Sequence, residues 1–332
     1  MILHRYPVRL LLAGLVAGAA LTASASKPYE ESTARSHWYN FFIRPAKDNP
    51  REQFLYANHL RDTDSLRSAA KEYRLLTVFW PEATEAPAAQ LALARVLDKR
   101  QKWQDAFEEY TYLIEHYPGT FAYNDILQRQ FEIAETVMTT RKGKFLFFPG
   151  FESPDRAIPL FEKILEHGPE WAKAPECQFL IGRANEFGYE YDLAVAAYLT
   201  VLVRYPDSPF AEQAAFHRAL CLELLAVAEP NNESVLDEAW TALHQFVNKY
   251  PKSEQLEQAL KLRDDLLRRR AQLAYNRARY YDTIARQPKA ALMEYKEFVR
   301  NFPHSDSTPQ AQTRIEQLAP LVETNEHAKA VR

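Results

Sequence analysis

Glycine and cysteine are scarce in this chain, and each shortage excludes a kind of site. Among 332 residues there are 8 glycines and 2 cysteines. Glycine-rich phosphate loops need several glycines at fixed spacing, and the sequence has no such run. The nine histidines include no H-x-x-x-H pair, which would suit a metal. We therefore expect no nucleotide, no metal and no other cofactor.

An excess of basic charge is also missing. Lysine and arginine total 41 against 44 acidic residues, so the formal net charge is −3. Nucleic-acid-binding proteins neutralise phosphates with a basic face, so we expect no nucleic-acid partner. Hydrophobic residues make up 47% of the chain and aromatic residues 13%. With so few glycines, this composition indicates helices packed through large side chains.

Only the N-terminus carries a long apolar run. Two arginines within the first nine residues lead into an apolar segment over residues 10–21, and the small residues Ala23 and Ala25 follow it. This order predicts a signal peptide over residues 1–25, with an uncleaved N-terminal anchor as the alternative. We therefore expect an exported protein.

Composition divides the remainder of the chain into three parts. Residues 26–50 have no clear periodicity and are interpreted as a linker. Residues 51–322 hold all the repeated pattern described below and are predicted to fold. Residues 323–332 are interpreted as a polar tail.

Most of the information lies in a pattern that occurs six times. Each copy has an alanine, a large apolar residue four positions later, another after three more, and a proline twelve positions after the alanine. The alanines are Ala69, Ala106, Ala157, Ala194, Ala239 and Ala291, and the prolines are Pro81, Pro118, Pro169, Pro206, Pro251 and Pro303. The apolar pairs are Tyr73 and Leu76, Tyr110 and Leu113, Phe161 and Ile164, Tyr198 and Val201, Leu243 and Phe246, and Tyr295 and Phe298. Offsets of four and seven share one helix face, and proline ends a helix, so each copy predicts a helix with one apolar stripe.

A second helix is predicted after each proline. Eight residues past the prolines stand Ala89, Ile126, Cys177, Ala214, Ala259 and Ala311. Repeated helix pairs cannot bury their apolar faces alone, so neighbouring pairs stack and leave a groove for another polypeptide. The sequence therefore predicts an all-α helical-hairpin solenoid, with about six hairpins plus a C-terminal capping helix.

Both cysteines fall on these second helices. Cys177 occupies the small-residue position, whereas Cys221 lies seven residues beyond the equivalent Ala214. Seven residues of helix span about 10 Å, which is too far for a disulfide between neighbours stacked in register. We therefore expect two buried free thiols.

The alanine, aromatic and proline positions resemble the second helix of the tetratricopeptide repeat (TPR) family, and Ile181-Gly182 resembles a pair on its first helix. The copies depart from that family in carrying a large residue five positions before proline. The turn sequence Y-P-D-S-P at residues 205–209, the segment 271–303 and the predicted export together resemble the BamD family. BamD proteins are the TPR lipoproteins of the outer-membrane β-barrel assembly machinery.

This resemblance implies a non-enzymatic scaffold in the periplasm, peripheral to the outer membrane. Its C-terminal repeats would bind a BamA-like barrel-assembly subunit, and its N-terminal groove would receive unfolded outer-membrane clients. One departure concerns lipidation, because the family attaches lipid to a cysteine after an L-x-A/G triplet. Here Ser24 follows the triplet at residues 21–23, so membrane proximity would depend on a partner.

Two other interpretations stay open. A periplasmic adaptor for cell-envelope division or the Tol–Pal system would share the fold, although such adaptors usually carry an N-terminal coiled coil and residues 26–50 show no heptads. An enzyme-linked TPR module, for instance in polysaccharide export, would need a catalytic domain, and the repeats leave no residues to build one.

Unequal spacing of the six prolines locates the insertions. A loop is predicted between Met138 and Asp155, and a turn over residues 228–234, because both contain glycine or proline. The stretch between Pro251 and Pro288 contains neither. We predict one long helix there, over about Glu254–Ala285, which projects beyond the solenoid.

Three groups of residues are candidates for partner binding. Phe145, Phe147 and Phe148 stand beside cations in the predicted loop and, if exposed, would contact a partner or a membrane surface. The alternative is that these rings fold back onto their own helices.

The other two groups are arginines. Arg95 and Arg183 share a position on the helix after the repeat proline, which corresponds to the first helix of a TPR. That position faces the groove in a TPR, where each arginine would bind a peptide carboxylate or carbonyl. Arg269 and Arg270 lie among the arginines of the long helix and would meet an acidic partner. A solvated helix face is the alternative for both groups.

Overall fold

The computed structural model describes residues 44–141 and 152–330, and everything described is helix, turn or irregular chain without a strand. Thirteen α-helices occur in this part of the chain, which confirms the all-α prediction. They are α1 Pro50–Asp62, α2 Leu66–Phe79, α3 Ala86–Lys99, α4 Trp103–His116, α5 Tyr123–Thr139, α6 Ile158–His167, α7 Ala174–Phe187, α8 Tyr191–Arg204, α9 Ala211–Ala228, α10 Glu233–Lys249, α11 Leu256–Arg279, α12 Pro288–Asn301 and α13 Thr308–Ala330. None of the described helices is both long enough and apolar enough to cross a membrane.

Helices α2 to α13 supply the six predicted pairs, and α1 precedes them. Counted as TPR hairpins, from α1 with α2 to α11 with α12, the same helices leave α13 as the predicted C-terminal helix. The chain divides into two compact units between Val96 and Leu97, within α3. In the first unit α1 packs against α2. Buried Gln53 on α1 donates from Nε2 to the Glu72 carboxylate on α2 at 2.8 Å, so the polar contact between these helices is satisfied.

The repeat positions form the core. All six repeat alanines are completely buried, and the two large apolar residues of each copy are at most 3% exposed. The second-helix positions after each proline are at most 5% exposed. The small residue allows close helix approach and the large one fills the adjoining space, so the predicted stripe is the buried face.

The prolines end helices as predicted. Six helices stop two residues before the repeat prolines: α2, α4, α6, α8, α10 and α12. At each of these ends, the amide of the residue just before proline donates back to a carbonyl of the last turn; Tyr205 N, for example, donates to Val201 O at 2.9 Å. Proline has no amide hydrogen to continue this pattern, so the chain turns towards the next helix.

From α7 to α13 the described part of the second unit contains three successive hydrophobic clusters. One joins α7, α8 and α9, the next joins α9, α10 and α11, and the third joins α11, α12 and α13. Helices α9 and α11 therefore each contribute to two neighbouring clusters. Such nearest-neighbour packing is the defining feature of repeat proteins, and it confirms the TPR-like solenoid class.

The long helix is confirmed, but its projection beyond the repeats is wrong. Helix α11 covers Leu256–Arg279 and continues into a π-turn over Tyr280–Ile284. Leu266 belongs to the cluster with α9 and α10, whereas Ala271 and Ala278 belong to the cluster with α12 and α13. Both halves of the helix are covered because its apolar face continues past the first cluster.

The predicted insertions and ends have different outcomes. The turn at 228–234 is confirmed: α9 ends at Ala228, and the Asn232 side chain caps α10. Helix α5 ends at Thr139, but most of the predicted loop, the predicted signal peptide and most of the linker lie outside the described residues. Helix α13 continues to Ala330, so the segment assigned to a polar tail is helical up to that residue.

The prediction for the cysteines is confirmed. Cys177 on α7 and Cys221 on α9 are buried free thiols. Burial raises the pKa of each thiol to about 12, because the thiolate would lose its hydration there. A buried thiol that stays protonated is a poor nucleophile.

Candidate functional site

Arg183 lies on α7, directly after the glycine of the first-helix pair, and its side chain is 47% exposed. The preceding Gly182 is packed against the buried ring of Tyr198 on α8. This close approach of α7 and α8 fixes the backbone that carries Arg183.

Arg183 and three further side chains from α7, α8 and α9 form a polar cluster. Glu186 accepts a hydrogen bond from the Tyr198 hydroxyl at 2.5 Å and lies 2.9 Å from His217 Nδ1. The other ring nitrogen of His217, Nε2, is 3.1 Å from Arg183 Nη1. Arginine can only donate, so in this contact Nε2 of His217 accepts and its Nδ1–H donates to Glu186.

Electrostatics reinforce this arrangement. Burial opposes ionisation of Glu186, but hydrogen bonds from His217 and Tyr198 prevail and lower its pKa. Burial, together with the hydrogen bond to Glu186, raises the pKa of Tyr198. Glu186 therefore stays an anion that orients His217, and His217 in turn holds the Arg183 guanidinium in place.

Arg95 lies on α3 in the first unit and is exposed. It follows Leu93 and Ala94, both fully buried, as Arg183 follows Ile181 and Gly182. The two arginines are therefore equivalent in repeat position, as predicted. Their role in partner binding stays a prediction.

Arg269 and Arg270 on α11 make contacts within the chain. Arg269 Nη2 donates to the Ala226 carbonyl near the end of α9 at 2.8 Å. Arg270 Nε donates to Asp237 Oδ1 on α10 at 2.5 Å, and its guanidinium lies 4.5 Å from the Trp240 ring centroid. Both side chains thus bind α11 to its neighbours, which leaves them less available to an acidic partner.

Arg268 has a different environment from the two arginines that follow it. Its side chain is 76% exposed, and its ion pair is with Asp265 on the same helix. The sequence shows three successive arginines, whereas the structure turns two towards neighbouring helices and one outward. Successive residues point to different sides of a helix, and the way α11 packs determines which of these sides faces a neighbouring helix.

Arg268 lines a cleft of about 360 Å³ between α11 and the turn from α12 to α13. Leu267 and Phe302 form the apolar part of its wall, and Gln272 and His304 contribute polar groups. An apolar floor with a few convergent polar groups is typical of a site for a partner side chain. Sequence analysis missed this cleft because its residues come from segments about thirty positions apart.

Phe145, Phe147 and Phe148 lie outside the described residues. The residues that flank this segment are joined by an ion pair between Arg141 Nη2 and Glu152 Oε1 at 2.6 Å. The three phenylalanines therefore keep the status of a sequence-based prediction.

Comparison with protein families adds the evidence for relationship. The model of the YfiO family, described as an outer membrane lipoprotein, matches residues 152–330, which is more than half of the chain. The chain belongs to this family. A tetratricopeptide repeat model also matches residues 88–120. The YfiO family match covers the Arg183 cluster and the cleft beside Arg268.

Individual relatives are distant. The outer membrane protein assembly factor BamD of Caulobacter vibrioides is 25% identical over 203 residues, covering 58% of this chain and 65% of that protein. This chain thus spans slightly less than two thirds of the relative's length. Among solved structures, the C-terminal part of a TPR protein from Cytophaga hutchinsonii is 16% identical, covering 85% of this chain and 94% of that one, with a TM-score of 0.32. A tetratricopeptide repeat protein from Parabacteroides merdae is 14% identical, with coverages of 81% and 98% and a TM-score of 0.28.

Proposed function

We propose that this protein is a non-enzymatic scaffold for outer-membrane protein assembly. The observation that carries the proposal is the YfiO family match over residues 152–330, which includes all helices from α6 to α13. The similarity to BamD of Caulobacter vibrioides, whose name describes an assembly factor, supports the same role. Stacked helix pairs offer binding surfaces for other polypeptides, and this suits a scaffold.

The site of action follows from the predicted signal peptide and the relationship. The protein acts in the periplasm, peripheral to the outer membrane. Its C-terminal helices bind a BamA-like barrel-assembly subunit, and its N-terminal helices receive unfolded outer-membrane clients.

The cleft beside Arg268 is the candidate contact for the barrel-assembly subunit. It lies within the C-terminal helices, and it combines apolar wall residues with an exposed cation. An acidic group on the partner would pair with Arg268, while an apolar side chain would cover Leu267. Arg183, oriented by His217, is the candidate contact for an extended client peptide.

The test is affinity purification of the full-length chain from detergent-solubilised envelopes. We expect the BamA-like subunit to be recovered with the wild-type chain, and Arg268→Glu to lower that recovery at least about fivefold by reversing a charge at the contact. Arg300→Glu is the matched control. Arg300 is 73% exposed, pairs with an acid three residues away as Arg268 does, and lies outside the cleft.

Three outcomes separate the parts of the proposal. Equal recovery with both variants would reject the cleft but retain the partner. Recovery of only peptidoglycan-associated proteins would reject the assembly role in favour of a Tol–Pal type of adaptor. Failure to recover any envelope protein would reject the scaffold itself.

A further inference from the structure

Helix α8 is apolar on both its inner and its outer face. Its inner face is buried in the core through Ala194, Tyr198 and Val201. Its outer face is exposed and also apolar, with Leu193 at 56% and Val203 at 70% exposure. A helix that is hydrophobic all round is normally covered on every side.

The same positions on helix α10 show that this is not a general feature of the repeats. The outer stripe of α8 consists of Leu193, Ala196, Leu199 and Val203, all exposed. Counted back from the repeat proline, the equivalent residues on α10 are Glu238, Thr241, His244 and Asn248, also all exposed. Exposed positions at this place in the repeat can therefore be polar. Contact with solvent does not explain why the same positions on α8 are apolar.

The stripe has a symmetry that suggests its partner. Asp192 precedes the stripe in the first turn of α8, and Arg204 follows it in the last turn. Reading inwards from these charges, Leu193 corresponds to Val203 at the two ends of the stripe. A second copy of the helix, placed antiparallel, would oppose Leu193 with Val203 and Asp192 with Arg204 at both ends.

We propose that the outer face of α8 binds the same face of a second copy of this chain about a two-fold axis. Two-fold contacts place one patch against itself, so a self-complementary patch is the required feature. Leu193 would pack against Val203 of the partner subunit at both ends.

Charge favours a second copy over a lipid surface. Exposed Glu190 and Asp192 lie at one end of the stripe, and both would be repelled by anionic headgroups. In the antiparallel pair, Asp192 instead lies opposite Arg204 of the partner subunit, an arrangement that fixes the direction of the two helices.

The contact is small, and this sets its strength. The stripe extends over ten residues, or about 15 Å of helix. Stable protein–protein interfaces bury at least about 1,200 Å² of accessible surface, and a single pair of helices of this length buries less. We therefore expect a weak, reversible dimer with a Kd of about 10–500 µM.

Sedimentation velocity of the purified full-length chain over that concentration range tests the proposal without any other protein. We expect Leu193→Glu with Val203→Glu to raise the dimer Kd at least about thirtyfold, since both substitutions occur twice in the interface. Met293→Glu is the matched control. Met293 is 66% exposed and takes the position on α12 that Ala196 takes on α8, so its substitution should leave the Kd unchanged.

Charge exchange tests the antiparallel arrangement. Asp192→Arg and Arg204→Asp should each weaken the dimer, because each places like charges opposite one another. The two substitutions together in one chain should restore it. Circular dichroism melting curves show whether either change in helix-end charge affects folding.

Two results would overturn the proposal. One is a monomer throughout the concentration range. The other is a dimer whose Kd is the same for the Leu193 and Val203 double variant as for Met293→Glu. Both readouts are independent of the proposed envelope function, because only the purified chain is present.

Discussion

Gly182 has no side chain, and this allows helices α7 and α8 to approach closely. A Cβ atom at this position would lie 2.5 Å from Cε1 of Tyr198, well inside van der Waals contact. The ring cannot move aside easily, because it is buried and its hydroxyl donates to Glu186. The glycine therefore sets the distance between α7 and α8, and through Glu186 it also affects the cluster around Arg183.

We expect Gly182→Ala to lower the free energy of unfolding by about 1–3 kcal/mol, the usual cost of overpacking a core. Urea unfolding followed by circular dichroism measures it. Gly188→Ala is the control: its added Cβ would be 3.4 Å from the nearest atom, an ordinary contact, and should cost under about 1 kcal/mol. Equal costs would show that contact with Tyr198 is not the cause.

At the scale of elements, ion pairs reinforce apolar contacts at the C-terminal end. Arg314 on α13 donates to both carboxylate oxygens of Asp282 in the π-turn after α11, at 2.6 and 2.8 Å. The Asp282 side chain is only 7% exposed. These hydrogen bonds hold the pKa of Asp282 below its usual value, although burial opposes the effect. The pair joins the end of α11 to α13.

The stabilisation by this pair should depend on pH. Because the folded-state pKa of Asp282 is lowered, its contribution is present above the unfolded value of about 4 and is lost as pH falls through the folded value. We expect Asp282→Asn to lower the free energy of unfolding by about 1–3 kcal/mol at pH 7. The difference from the wild type, measured by urea unfolding, should shrink as the pH is lowered from 5 towards 2. A difference that does not change with pH would contradict the ion-pair explanation.

The elements also show where sequence reasoning was sufficient and where it was not. The alanine-to-proline spacing predicted six helices and their ends, because periodicity and proline act locally. The same reasoning failed for the second half of α11. Whether a helix projects or is covered depends on residues such as Leu292 and Tyr295, which reach Ala271 and Ala278 only after the chain has turned back.

At the scale of the molecule, the second unit is a series of clusters that share helices. Cys177 and Cys221 lie on α7 and α9, two helices of this series that contact each other. Their thiols are buried, and their pKa values are raised to about 12. Reaction with a thiol reagent therefore requires the helices to separate.

We expect both thiols to react with a disulfide reagent at pH 8 at least about a hundredfold more slowly in the native chain than in urea. Cys177→Ala and Cys221→Ala variants report on the thiols one at a time. Similar rates are expected from the two if α7, which carries Cys177, opens together with the cluster that contains Cys221. Rapid reaction of one thiol in the native chain would show that its helix opens alone.

Spacing along the chain was enough to predict the helical class, the repeat register, the helix ends at the prolines and the burial of both thiols. Such features depend on residues within one helix and not on its neighbours. The packing of α11 against other helices placed Arg269 and Arg270 in contacts within the chain and Arg268 at a cleft, and it covered both halves of the helix. Those outcomes depend on which side of a helix meets another helix, a property that arises when distant segments pack together.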